Sequence, residues 1–371
     1  MRTPPGGPPD FDPPVLVEVT PDSGSIHEAF GDRVVFLFDE VVSERSGGGL
    51  DRVFEVSPRH DRISISWRRT SVAVKPEDGW VAGVVYHVTL LPGITDLSNN
   101  VSRESRIVTF STGGEIPATT VSGTVVDWEL DRLAPDALIE AIRIPDTLVY
   151  TGRTDSIGQF TLVSLPLGDY VIIATIDENM NRRRDRRERF DSLVAQLDTS
   201  LVGMFWAFSR DTSGPRLRAL TQVDSTTARL TFSQMLAPGE PPDNSVAVSL
   251  LPDSLPTPIA AILSSMAFDS LRAAIRRSDT TVTDTTVVAD TTDVAAEEEF
   301  DEAEAILSQR PRLSDTWFVL LQEPLSPGSR YLFSATATNL MGGTVESRSL
   351  LITREAPPPA PTPEIEPGDS L

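Results

Sequence analysis

The sequence predicts an all-β protein, a tandem of antiparallel β-sandwiches with a disordered insert in the last domain. Short apolar-alternating runs recur along most of the 371 residues, each bounded by Gly, Pro, Asp or Asn. Amphipathic helical periodicity is scarce. The last group of runs also repeats the first, the mark of a duplicated module.

Residues 1–13 are rich in Pro and Gly and are expected to form an extended tether. A first set of strands follows within 14–114: "VLVEV" at 15–19, "RVVFLF" at 33–38, "ISISW" at 63–67, "SVAV" at 71–74, "VVYHVTLL" at 84–91 and "RIVTFST" at 106–112. A second set occupies 118–197, from "VSGTVVD" to "DYVIIATI". "LVGMFWAF" at 201–208 is too short to span a membrane and is expected to be a buried strand. A third set lies within 203–355. There "SGPRLRALTQVDS" answers to "DPPVLVEVTPDSG", "TARLTFSQML" to "DRVVFLFDEVV", and Gly328-x-x-Tyr331 to Gly83-x-x-Tyr86. A tyrosine just after a Gly turn can bury its ring and bond nearby backbone, as corner tyrosines of sandwiches do. The periodicity predicts helices at 186–197 and 264–277. Thr/Asp repeats and an acidic block fill 278–314, which cannot bury enough apolar area to order itself. Residues 356–371 form a Pro-rich tail.

The formal net charge is -22, from 32 Lys+Arg against 54 Asp+Glu. That balance argues against nucleic acid, which needs a basic footprint. There is no Cys, hence no disulfide framework, thiolate metal site or Cys nucleophile.

The residues "GGPPDFDPPVLVEVTPDSGS", "VVFLFDEVV", "GVVYHVTLLPGITDLSNN" and "VTFSTG" resemble the bacterial Ig-like domain of the S-layer (SbsA) type. The late turn of that domain falls on Asp96–Asn100, with Asn99 where the family has Gly. The middle set is similar to the carboxypeptidase regulatory-like, transthyretin-related β-sandwich. Gly123, Asp127, Thr154, Asp155, Gly158, Phe160, Leu165, Pro166, Gly168 and Tyr170 occupy its recurring places. The order of the two resembles a group of bacterial envelope lipoproteins. That resemblance implies a signal peptide and a lipidated Cys upstream of Met1 in the full-length protein, and a place in the cell envelope or outside the cell.

No Gly-x-Ser-x-Gly elbow or His-Glu-x-x-His is present, so no catalytic residue is assigned. His27, His60 and His87 are far apart in sequence and are expected to be structural. The single metal candidate is "DENMNRRRDRRERFDS" at 177–192. Asp177, Asn179, Asn181, Arg183, Asp185 and Glu188 fall at positions 1, 3, 5, 7, 9 and 12 of an EF-hand loop, with Arg183 serving by its backbone carbonyl. These hard oxygen donors suit Ca²⁺. Two features oppose it: Arg182 stands where the loop wants Gly, and six arginines crowd 182–189. At about 8 Å and an effective dielectric near 20, each arginine would oppose a dication by about 4 kcal/mol before salt screening. The first reading is therefore a capped turn into a basic linker helix, and calcium the second. A third lets the arginines meet the acidic block "EEEFDEAE", or an anionic surface.

The function expected is that of a non-enzymatic modular Ig-like protein of the bacterial envelope, structural or binding, without a transmembrane segment, whose partners are envelope components or other proteins. The alternative is an adhesion, carbohydrate- or peptidoglycan-binding accessory protein, calcium-stabilised, with Trp67, Trp80 or Trp128 as an aromatic platform.

Overall fold

The computed structural model describes residues 10–279 and 303–354. The tether up to residue 9, most of the insert and the Pro-rich tail lie outside the described residues; the expectation of disorder to 314 is corrected for 303–314, which opens on a helical turn at 303–307 and is held by Trp128 and Asp131. By internal contacts the chain forms two compact units. One takes residues up to Asp127 together with Arg132–Ser209, the other Trp128–Asp131 together with residues from Arg210 onward.

The first unit begins with β1 (Leu16–Thr20), β2 (Ser25–Ile26), β3 (Val34–Phe38), β4 (Phe54–Ser57), β5 (Ile63–Arg68), β6 (Ser71–Pro76), β7 (Val85–Leu90) and β8 (Arg106–Ser111). They make two facing sheets, ordered β1-β3-β6-β5 and β2-β8-β7-β4. Alternation in "VVFLF" turns Val34, Phe36 and Phe38 inward, where they meet Val72 and Val74 of β6 and Phe54 of β4. Each such side chain contributes about 1.5–3 kcal/mol on burial.

The same unit continues with β9 (Thr120–Asp127), β10 (Arg132–Leu133), β11 (Leu138–Ile144), β12 (Val149–Arg153), β13 (Gln159–Val163), β14 (Gly168–Thr175), β15 (Phe190–Leu197) and β16 (Ser200–Ala207). One sheet runs β12-β11-β14-β15; the other is β10-β9-β13 with β16 parallel to β9. Its core centres on Tyr150, Tyr170, Phe160, Phe205 and Ile139. Gly123 is required where β9 and β16 pair, because a Cβ there would lie 2.2 Å from the carbonyl oxygen of Gly203. The helix expected over 186–197 is corrected to strand β15. Phe190, Leu193, Val194 and Leu197 have helical spacing, but every residue from Phe190 to Leu197 pairs with β14. Tertiary pairing overrides local period there, leaving Val194 on the solvent face, 73% exposed.

The second unit holds β17 (Leu217–Gln222), β18 (Thr227–Phe232), β19 (Val246–Leu251), β20 (Leu255–Pro256), β21 (Ile259–Ser264), β22 (Thr316–Leu321), β23 (Arg330–Thr338) and β24 (Thr344–Ile352). Its sheets, β17-β18-β22-β21 and β20-β19-β23-β24, place corresponding strands as in the first sandwich. The likeness reaches the register. A bulge interrupts β1 between Leu16 and Glu18 opposite β3, and β17 between Leu217 and Ala219 opposite β18. Where the first sandwich has the β5–β6 hairpin, helix α1 (Ser265–Asp279) and the insert intervene. The Ser264 hydroxyl accepts a hydrogen bond from the N–H of Ala267 and so caps α1. Phe268 of α1 stacks on Phe318 at 3.8 Å.

Candidate cation loop and the joint beside it

Residues 177–188 connect β14 to β15. Asp177 is buried. Its Oδ1 accepts the N–H of Asn181 at 3.1 Å, and its Oδ2 accepts the N–H of Arg182 at 3.0 Å and an Nη2 bond from Arg153 at 3.2 Å. Asn179 Oδ1 accepts from Asn181 N–H, and Asn181 Oδ1 from Arg183 N–H. Both asparagine amides donate to Asp185 Oδ2, at 2.7 and 3.0 Å. Glu188 closes the loop: its Oε2 accepts the N–H of Asp185, while its Oε1 is buried without a hydrogen-bond partner. Burial raises the Glu188 pKa, with Asp177 and Asp185 adding to the rise and backbone N–H groups opposing it. The structure thus brings Asp177, Asn179, Asn181, Asp185 and Glu188 around one loop, and Arg183 lies on the same turn.

Two objections drawn from the sequence look different in three dimensions. Arg182 adopts φ +63°, the left-handed conformation for which Gly is favoured. That costs about 1–2 kcal/mol. The Arg182 side chain leaves the loop for the first sandwich, where it bonds the carbonyls of Phe54 and Arg52 and pairs with Glu55 at 3.1 Å. Arg189 is held by buried Asp127 and by Glu178, Arg183 pairs with Asp61, and Arg184 covers the Phe190 ring. Arg186 and Arg187 remain exposed. The basic run continues into strand β15, so the linker helix of the first sequence reading is absent. The acidic block proposed as its partner lies almost wholly outside the described residues.

Arg182 and Arg183 belong to a joint between the first two sandwiches. Arg59 N–H bonds the carbonyl of Val149 at 2.7 Å, and Thr151 N–H bonds Ser57 Oγ at 3.0 Å. Arg59 also pairs with Glu140, which is 5% exposed. Leu148 packs against both cores. A cleft of about 450 Å³ opens beside the joint, lined in part by Glu55, Arg59, His60, Asp61, Arg182 and Arg183. The signal missed in the sequence was the pairing of Arg59, Arg153 and Arg182 with Glu55 and Glu140, which lies across distant segments.

A second acidic group gathers at one end of the first sandwich. One carboxylate oxygen each of Asp10, Glu40 and Asp96 lies within 4.8 Å of the others. Burial raises the Glu40 pKa, and Asp10 and Asp96 raise it further. At the corresponding place in the second unit, Asn339 Nδ2 donates to Gln234 Oε1 and to the carbonyls of Asp211 and Ser213. Neutral amides there replace Glu40 and Asp96, while Asp211 keeps a carboxylate whose Oδ2 accepts from Gln234 Nε2. The adjoining turns agree too: Asn99 has φ +68° and Gly342 φ +79°.

The three histidines take structural partners, Ser25 for His27, Asp78 and Tyr86 for His60, and Thr109 for His87. The tryptophans form no exposed platform. Trp67 and Trp80 pack on the first core and donate to the carbonyls of Val42 and Asp32. Trp128 is buried and donates to the carbonyl of Pro311. No helix among the described residues is long and apolar enough to cross a membrane.

Residues 10–112 match the family model of the bacterial Ig-like domain. No curated protein matches the sequence. Among solved structures, a DUF3823 family protein from Bacteroides uniformis is similar at 9% identity, covering 64% of this chain and 100% of its own, with a TM-score of 0.20. The N-terminal part of the bacterial S-layer protein SbsC is similar at 15% identity, covering 52% and 43%, with a TM-score of 0.19. BcpA, the major pilin subunit of Bacillus cereus, is similar at 10% identity, covering 53% and 70%, with a TM-score of 0.19. At such scores these likenesses carry no argument about this chain. The chain is an all-β tandem of Ig-like sandwiches, and the first of them is the part that matches the bacterial Ig-like model.

Proposed function

We propose that this protein is a non-enzymatic structural module of the bacterial cell envelope, exported and lipid-anchored in its full-length form. Two Ig-like copies of the SbsA type, 14–114 and 203–355, flank a carboxypeptidase regulatory-like sandwich at 118–197. The observation that carries the structural role is the joint of the first two sandwiches. The Arg59–Val149 backbone hydrogen bond, the Thr151–Ser57 bond, the Arg59–Glu140 and Arg182–Glu55 pairs and the shared Leu148 favour one stiff body over two beads on a string. A stiff body suits a spacer that holds something at a set distance from a surface.

Motif chemistry supports the middle assignment. Thr154 Oγ1 bonds Ala134 and Ala137, Asp155 Oδ1 caps the Asp155–Gln159 turn, and Tyr170 donates to the Pro166 carbonyl. The carbohydrate-binding alternative stands second, because Trp67, Trp80 and Trp128 are committed to packing. Protease shaving of intact and outer-membrane-permeabilised cells of the native organism tests the location. Cleavage before lysis is expected. A chain protected until the cytoplasm opens would sink the reading.

A further inference from the structure

We propose that residues 177–188 are a calcium site, with Asp177, Asn179, Asn181, the Arg183 carbonyl, Asp185 and Glu188 as its oxygen donors. The observation that points to a ligand is Glu188. It is 8% exposed, its Oε2 is tied to the loop by the N–H of Asp185, and its Oε1 has no hydrogen-bond partner. A buried acceptor left unpaired costs about 1–3 kcal/mol, and more when charged. A cation held by the loop would supply the missing partner.

The donor set selects the ion. Every donor is a hard oxygen, with neither Cys nor His in the loop. Asp177 anchors the first turn through two backbone N–H bonds, and Asn179 and Asn181 each hold the backbone two residues on. Glu188, eleven residues after Asp177, supplies the two-oxygen carboxylate that a seven-coordinate calcium loop needs. Magnesium, which demands tighter octahedral geometry, is expected to bind more weakly.

Arg186 and Arg187 stay exposed beside Asn179, Asp185 and Glu188 and oppose the ion across solvent, where salt screens them; the other arginines of the run are engaged elsewhere. Arg182, Arg183 and Arg189 are each paired with a carboxylate, and Arg184 lies over Phe190. Arg153 remains as a competitor at Asp177 Oδ2, so the affinity belongs with weak extracellular modules rather than with cytosolic buffers.

The test is calorimetric titration of the full chain, stripped with chelator, using calcium chloride alone, together with thermal melting. Wild type should bind with a Kd of about 10⁻⁴–10⁻³ M and melt higher in calcium. Glu188→Gln should weaken binding at least about tenfold while remaining folded by circular dichroism. Asp96→Asn, which copies Asn339 of the second unit, should leave binding unchanged. No heat and no melting shift in wild type at about 5 mM calcium overturns the proposal. Binding that survives Glu188→Gln but disappears in Asp96→Asn overturns it too, placing the ion at Asp10, Glu40 and Asp96.

Discussion

The hydroxyl of Tyr86 accepts a hydrogen bond from the backbone N–H of Val81 at 2.9 Å, five residues earlier. Tyr331 stands in the same relation to Ser326, at the same distance, in the other unit. Both rings are buried, so each hydroxyl satisfies a turn N–H from within the core.

Phenylalanine at either position should destabilise its sandwich by about 1 kcal/mol, because the turn N–H loses its acceptor. The two losses should add in the double variant, since the sites lie in separate cores with no shared partner. Urea unfolding of Tyr86→Phe, Tyr331→Phe and the pair measures this. No change in either single variant would mean that the repeated bond is incidental.

A paired contrast exists in the middle sandwich. Tyr170 donates to the Pro166 carbonyl at 2.7 Å, whereas the buried hydroxyl of Tyr150 has no partner. Tyr170→Phe should cost about 1 kcal/mol, and Tyr150→Phe should be neutral or stabilising. The reverse order by urea unfolding would refute this account of the core.

His87 sets a pH dependence. Its Nδ1 meets Thr109 Oγ1, its Nε2 is buried without a partner, and burial lowers its pKa to about 4. The unfolded chain, with His near 6.5, binds the proton more readily than the folded one between pH 6.5 and 4. Stability therefore falls as pH drops through that window, by up to about 3 kcal/mol at its lower end. His87→Gln should flatten this part of the stability-versus-pH curve. A variant with the wild-type slope would show that the loss comes from other groups.

Much of the sandwich was legible because period-two alternation directly reports which face of a strand is buried, as in "VVFLF" and "RYLF". The repeat was legible through Gly83 and Gly328, because a turn with positive φ leaves a glycine behind. Helix α1 was legible from its own periodicity. Strand β15 was not, since its apolar spacing suits a helix and only pairing with β14 decides. The loop's oxygen donors were visible by spacing. The destination of Arg182 was hidden, because its partners Arg52, Phe54 and Glu55 are more than a hundred residues away.

The stiffness of the first two sandwiches is the central structural claim, and a distance distribution tests it directly. The chain has no native Cys, so spin labels at Glu28→Cys and Ser192→Cys, both exposed, report one distance between the sandwiches. Double electron–electron resonance should give a single narrow peak, broadened when Arg59→Ala and Arg182→Ala remove the joint's ion pairs. A broad distribution in the unsubstituted background, unchanged by those replacements, would contradict the account.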